Sequence, residues 1–226
     1  MFFKDIRYGA ARARLQCAMS TALLLLAALL ALPAAAQAPA NNDAPRTVLV
    51  MGDSLSAAYG LSAAQGWVAL TAQRIKRTRP GWRVVNASIS GETTAGGASR
   101  IAAELQRHRP AIVVIELGAN DGLRGLSLAQ TRTNLDRMIQ AARKSGARVM
   151  LIGMRIPPNY GPDYTRGFEG NFKALADQYK LPLLAFLLES IARDRANFQA
   201  DNLHPVAAAQ PKIRDHVWQV LAPMLK

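Results

Sequence analysis

Four short stretches of this chain hold side chains whose types and order fit acyl transfer. The first is Gly52-Asp53-Ser54-Leu55-Ser56. A serine two residues past an apolar run, with glycine before it, can sit on a tight turn into a helix. Its hydroxyl is then exposed and its own N–H points at the same spot. Alone this is weak, because serine is also a common helix cap. It is not the G-x-S-x-G elbow either, since Ser56 stands where the second glycine would be. The second stretch, Ser88 to Thr94, contains Gly91, whose N–H a substrate oxygen can approach; a plain turn glycine reads the same way. The third is Gly118-Ala119-Asn120-Asp121-Gly122, where Asn120 can aim its amide at a developing oxyanion or simply serve a turn.

The fourth stretch is Asp201-Asn202-Leu203-His204-Pro205. With the acid and the imidazole three residues apart on one turn, the carboxylate can hold one ring nitrogen while the other faces Ser54. Pro205 is expected to open the last helix at its first position. His108, at a basic helix end, and His216, in a helix with no partner acid in view, read as surface residues.

These stretches need a frame that brings them together. Apolar runs at 47–51, 82–87, 111–117, 147–153 and 181–186 read as strands. They are apolar without alternation, as strands buried on both faces are. Helical spacing is predicted over 67–78, 98–108, 130–144, 163–179 and 206–225. Strands alternating with helices give a parallel sheet with right-handed crossovers. The fold expected is α/β: a three-layer α/β/α sandwich on a five-stranded parallel sheet in flavodoxin-like order. All four stretches then fall at strand ends on one edge, where ligands bind in such folds.

Residues 1–36 read as a signal peptide: a basic start, an apolar run over 18–32, Pro33, then Ala34-Ala35-Ala36 as an A-x-A cleavage site. The apolar run is short for a membrane anchor. Residues 37–46 read as a flexible lead-in and 47–226 as one domain, with a periplasmic or secreted location expected. Cys17, the only cysteine, lies in the signal, so the exported chain has no disulfide and no thiolate chemistry. That form carries 24 basic against 14 acidic residues, a net charge of +10. The scatter of the basic residues and the absence of a recognition motif argue against nucleic acid. A basic surface suits transient contact with an anionic membrane surface. A monomer is expected, and no metal or other cofactor.

The stretches resemble the SGNH (GDSL) hydrolase family, and over 47–225 the periplasmic multifunctional acyl hydrolases within it. The resemblance is carried by GDSLSAAYGL, VVNASISGETTAGG, VIELGANDGLRG, MRIPPNYG and DNLHP, with Ala119 standing where glycine is frequent. It implies Ser54 as nucleophile, His204 as base and Asp201 as the acid behind it. It implies an oxyanion hole from the N–H groups of Ser54 and Gly91 and the Asn120 amide. Substrates would be small acyl esters or thioesters: aryl esters, acyl-CoA and lysophospholipids. A carbohydrate O-acetylesterase is the rival within the same family. Leu123, on a glycine-flanked segment, and Ile156, Pro158 and Tyr160, on a stiff apolar one, are expected to shape the acyl site. Asp53 is expected to serve the turn through backbone hydrogen bonds, with its side chain directed away from Ser54.

Overall fold

A computed structural model describes residues 45–226. The expected signal peptide and nearly all of the expected lead-in lie outside these residues. Five parallel strands form one sheet in the order β2-β1-β3-β4-β5: β1 Arg46–Gly52, β2 Trp82–Asn86, β3 Ile112–Glu116, β4 Arg148–Ile152 and β5 Leu183–Leu184. This is the expected flavodoxin-like order. Val48 to Met51 and every residue of β3 are buried, because helices cover both faces.

The helices are α1 Trp67–Thr78, α2 Thr94–His108, α3 Ala119–Leu123, α4 Leu128–Lys144, α5 Pro162–Tyr179 and α6 Gln210–Leu221. Helices α1 and α6 pack together, as do α2 with α4 and α4 with α5. The chain order reverses between β1 and β3, and the crevice beyond their carboxyl ends is where such sheets bind ligands.

Local chemistry moves several boundaries from the predicted ones. Helix α2 starts four residues early because Thr93 caps it, accepting the Gly96 N–H. Its glycines look unfavourable for a helix. Gly97 nevertheless packs so closely that a Cβ there would lie 2.4 Å from Leu117 and 2.9 Å from Met138. Ser127 likewise caps α4 and extends it forward to Leu128. The Asn-Asp-Gly stretch, read as a turn, is the short helix α3.

The fifth strand keeps only two of its six predicted residues. The last helix is not continuous over 206–225: 3-10 turns at Ala207–Ala209 and Ala222–Met224 flank α6. Pro205 does not open it. Pro205 instead pairs with Phe198 in an isolated antiparallel bridge, and Pro211 takes the first-turn position that its fixed φ suits.

Candidate active site

The serine turn is built from below. After β1 the chain turns at once, with Asp53 and Ser54 carbonyls accepting the N–H groups of Ala57 and Tyr59 at 2.9 and 3.1 Å. Asp53 Oδ1 accepts the Leu55 N–H at 3.0 Å. Ser56 donates to the buried Glu116 carboxylate, 2.6 Å away at the end of β3. Asn86, at the end of β2, donates to the Ser56 carbonyl at 2.8 Å. Three adjacent strands therefore hold one turn. Gly52 has no room for a side chain: a Cβ would lie 2.7 Å from Ser56 and 2.8 Å from Glu116.

The histidine loop is closed by the Phe198–Pro205 bridge and by Gln199 N–H donating to the His204 carbonyl at 2.8 Å. Asn202 takes the left-handed conformation at φ 62°, which asparagine tolerates better than most residues. Asp201 Oδ1 then accepts the N–H groups of both Leu203 and His204 at 3.0 Å. Its Oδ2 meets His204 Nδ1 at 2.6 Å, and His204 Nε2 meets Ser54 Oγ at 2.8 Å. The hydrogen bond from His204, with the two backbone N–H groups, holds the Asp201 carboxyl down at about 2. Asp201 is thus ionised near neutral pH. Nδ1 carries the hydrogen, and Nε2 is left to accept the serine hydroxyl. Tyr59 lies against the imidazole with ring centroids 4.4 Å apart.

The oxyanion candidates come from the loops after β2 and β3. Gly91 has φ 79°, a conformation that favours glycine. Asn120 sits in the first turn of α3 and donates to the Glu92 carbonyl at 3.0 Å and to Asp53 Oδ2 at 3.3 Å. Glu92 itself is paired with Arg100. Beside Asn120, the buried Asp121 accepts from the Thr94 N–H at 2.8 Å and the Thr94 hydroxyl at 2.5 Å. The start of α2 is thereby locked to α3. Arg124 donates to the Gly91 carbonyl at 3.2 Å.

Asp53 departs from the expected role in one respect. It serves the backbone as predicted, but its second oxygen faces the Asn120 amide. Burial raises its carboxyl to about 6, against the lowering effect of the Leu55 N–H. Burial also pushes Glu116 well up, and the neighbouring Asp53 adds to this. Glu116 was missed from sequence. Its signal was there: it is the one charged residue in an otherwise apolar strand run.

Ser54, Asn120 and His204 open on a cavity of about 500 Å³. Leu123, Ile156 and Pro158 line it as expected. Tyr160 is not in the lining. Its hydroxyl donates to the Leu123 carbonyl at 2.6 Å and its ring stacks near Tyr164, so it braces the wall from behind. Further lining residues were not named from sequence. Phe186, Leu188, Phe198 and Leu203 come from the long segment between β5 and α6, with Met154 at the end of β4. Phe186 ends the run predicted as the fifth strand; the rest of the segment lacks strand or helix periodicity, so only its apolar content pointed to a role. Among the described residues, no group of three or more His, Cys, Asp or Glu is placed to hold a metal ion.

An imidazole between a hydroxyl and an ionised carboxylate can take the hydroxyl proton as oxygen attacks a carbonyl. The similarities of the chain agree with that chemistry. Residues 50–210 match the GDSL-like lipase/acylhydrolase family. The chain is 49% identical to the esterase TesA of Pseudomonas aeruginosa, over 89% of this chain and 98% of that one. It is 39% identical to thioesterase 1/protease 1/lysophospholipase L1 of Escherichia coli K12, over 79% and 85%. The crystal structure of TesA superposes with a TM-score of 0.77 at 50% identity, covering 79% of this chain and 99% of that one. A psychrotrophic esterase EstA from Pseudoalteromonas, inhibited by monoethylphosphonate, superposes with a TM-score of 0.76 at 39% identity, covering 80% and 98%. With a matching fold, a hydroxyl–imidazole–carboxylate relay and these relatives together, the chain belongs to the GDSL-like lipase/acylhydrolase family and is an ester hydrolase.

Proposed function

We propose that this protein is an exported serine esterase acting on aryl esters, acyl thioesters and lysophospholipids through an acyl-serine intermediate. The observation that carries this reading is the relay of 2.8 and 2.6 Å from Ser54 through His204 to Asp201, at the mouth of an apolar-walled cavity. Ser54 Oγ attacks the acyl carbonyl as its proton passes to His204 Nε2. Asp201 holds the tautomer and stabilises the imidazolium. The oxyanion is taken by the N–H groups of Ser54 and Gly91 and by the Asn120 amide. One Asn120 hydrogen is fixed on Glu92; the other, held at 3.3 Å by Asp53, is the one the oxyanion competes for. The imidazolium protonates the leaving alcohol or thiol, and water then repeats the sequence to release the acid.

The apolar lining of Leu123, Ile156, Pro158, Phe186, Leu188 and Phe198 suits an acyl chain longer than acetyl. This favours acyl esters over carbohydrate O-acetyl groups, as do the names of the relatives. The basic start, apolar run and Ala34-Ala35-Ala36 support export to the periplasm or medium, and the net charge of +10 supports transient contact with an anionic membrane surface; the exported form is taken to be a monomer. The test is a substrate panel of acetyl and octanoyl nitrophenyl esters, an acyl-CoA and a lysophospholipid, run beside fluorophosphonate labelling of Ser54→Ala. Octanoyl ester is expected to be favoured over acetyl, with no label in the variant. Label persisting on another serine would overturn the assignment. Amino-terminal sequencing of the exported protein is expected to begin at Gln37.

A further inference from the structure

The four helix-to-strand connections all lie at the amino edge of the sheet, opposite the active site. The α1–β2 connection brings Lys76, Arg77 and Arg79. The α2–β3 connection brings Arg107 and Arg109, and the α4–β4 connection brings Arg143, Lys144 and Arg148. Lys180 stands in the fourth, between α5 and β5. All nine are exposed, and among the described residues none forms a salt bridge with a carboxylate. From the last turns to the strand starts that carry these cations, the only acid among the described residues is Asp177, which is paired with Lys173.

Part of this has a local cause, since cations are favoured in the last turn of a helix. That accounts for Lys76, Arg77, Arg107, Arg143 and Lys144. It does not account for Arg79, Arg109, Arg148 and Lys180, which lie beyond a helix end, nor for the scarcity of acids. Five of the nine cations also border grooves. Lys144 lines one groove with Arg109 and another with Arg143, and Arg143 lines a third with Arg148 and Lys180.

We propose that this edge is a docking face for an anionic phospholipid surface, with the pocket turned away from it. The footprint is two-dimensional. It crosses five strands, roughly 20 Å at the usual strand spacing, and takes cations from helices on both faces of the sheet. A plane of phosphate head groups matches such an array better than a single extended polyanion. Docking is electrostatic, without insertion: the large apolar side chains that are exposed, Tyr59, Ile89, Leu126 and Leu203, follow strand ends at the opposite edge or lie in the loops beyond them. A protein held this way draws its esters from solution, because its mouth stays open while it is bound. The proposal deepens the membrane contact in the reading above and is independent of which ester is cleaved.

The test is co-sedimentation of the purified exported protein with vesicles of equal parts phosphatidylglycerol and phosphatidylcholine, with hydrolysis of a soluble nitrophenyl ester measured on the same samples. Binding is expected to the mixed vesicles and not to pure phosphatidylcholine, to fall with added salt, and to leave soluble-ester turnover unchanged. The triple variant Arg109→Gln, Lys144→Gln, Lys180→Gln is expected to lose roughly 100-fold in vesicle affinity, at about fivefold per cation. A control variant with Arg132→Gln, Arg193→Gln and Lys212→Gln removes the same charge elsewhere and is expected to bind nearly as the parent. Equal loss in both variants would mean diffuse attraction and overturn the proposal. So would bound protein that cannot cleave the soluble ester, which places the pocket against the lipid. Retention on heparin without vesicle binding overturns it in favour of a soluble polyanion. Melting temperature and soluble-ester turnover of each variant separate lost docking from lost folding, and turnover alone tests the esterase reading.

Discussion

At the carboxyl edge of the sheet the segments that follow the strands mix acids with cations, Asp53, Glu92 and Asp121 beside Arg124 and Arg155, and β3 ends on the buried Glu116. At the amino edge the segments that follow the helices carry exposed arginines and lysines. The backbone differs as well. Non-glycine residues with positive φ at the amino edge are Arg109 and Lys180, both left-handed helix caps. At the carboxyl edge Ala58 is strained at φ 62° without ending a helix, and Asn202 holds the histidine loop at the same value. The amino edge follows rules of local stability: favourable charges at helix ends and standard caps. The carboxyl edge breaks them, with buried carboxylates and left-handed alanine, in order to place Ser54, Asn120 and His204 over one cavity. Strain and burial that cost stability are concentrated where the chemistry is.

The comparison can be broken most directly at Ser54. Ser54→Ala is expected to lower kcat by about 10⁶, as for other serine nucleophiles, with an unchanged melting curve. Near-normal turnover would remove the chemistry from this edge. Asn120→Ala is the next largest. A single oxyanion donor is worth roughly 10²–10³ in kcat, and KM is expected to change little because the contact forms mainly in the transition state. Steady-state kinetics on one chromogenic ester decides it. A KM effect alone would make Asn120 a substrate-binding residue.

The buried acids sharpen the comparison through pH. The folded-state carboxyl of Asp53, raised to about 6, stays protonated where the unfolded chain has already ionised. Stability is therefore full below the unfolded value near 3.8 and falls as pH rises from there to about 6. Glu116, raised as well, acts in the same direction. Denaturant melts at pH 4 and 7 are expected to differ by a loss on the order of 1–3 kcal/mol at the higher pH. Glu116→Gln is expected to shrink that difference. A protein equally stable at both values would show that burial raises neither carboxyl above its unfolded value. The smallest effect belongs to the other edge: Lys144→Gln is expected to change stability by no more than about 0.5 kcal/mol and kcat not at all. A larger loss would mean that the amino edge, too, is built around specific contacts.

Much of this molecule was legible in order along the chain. Five strands, their parallel arrangement and four reactive stretches follow from apolar runs, helical spacing and short motifs, because those signals are carried by neighbouring residues. Helix starts were less legible: the caps at Thr93 and Ser127 shift boundaries by a few residues. Asp201 and His204 were readable as a pair because three residues separate them, and Ser54 because it follows a buried strand.

What only the tertiary structure decided comes from residues distant in sequence. The lining residues Leu188, Phe198 and Leu203 lie in a segment with no periodicity, shaped by what it packs against. The Tyr59–His204 contact and the Asp53–Asn120 hydrogen bond join residues 145 and 67 positions apart. Asp53 looks like an ordinary turn acid, and Glu116 like an odd charge in an apolar run, until the strands and helices around them exclude water, and that burial makes both of them weak acids. The amino acids alone determined which groups exist and which edge of the sheet they reach; the packed fold determined their distances, their protonation and the shape of the cavity, because each depends on the sum of neighbours rather than on the order of the chain.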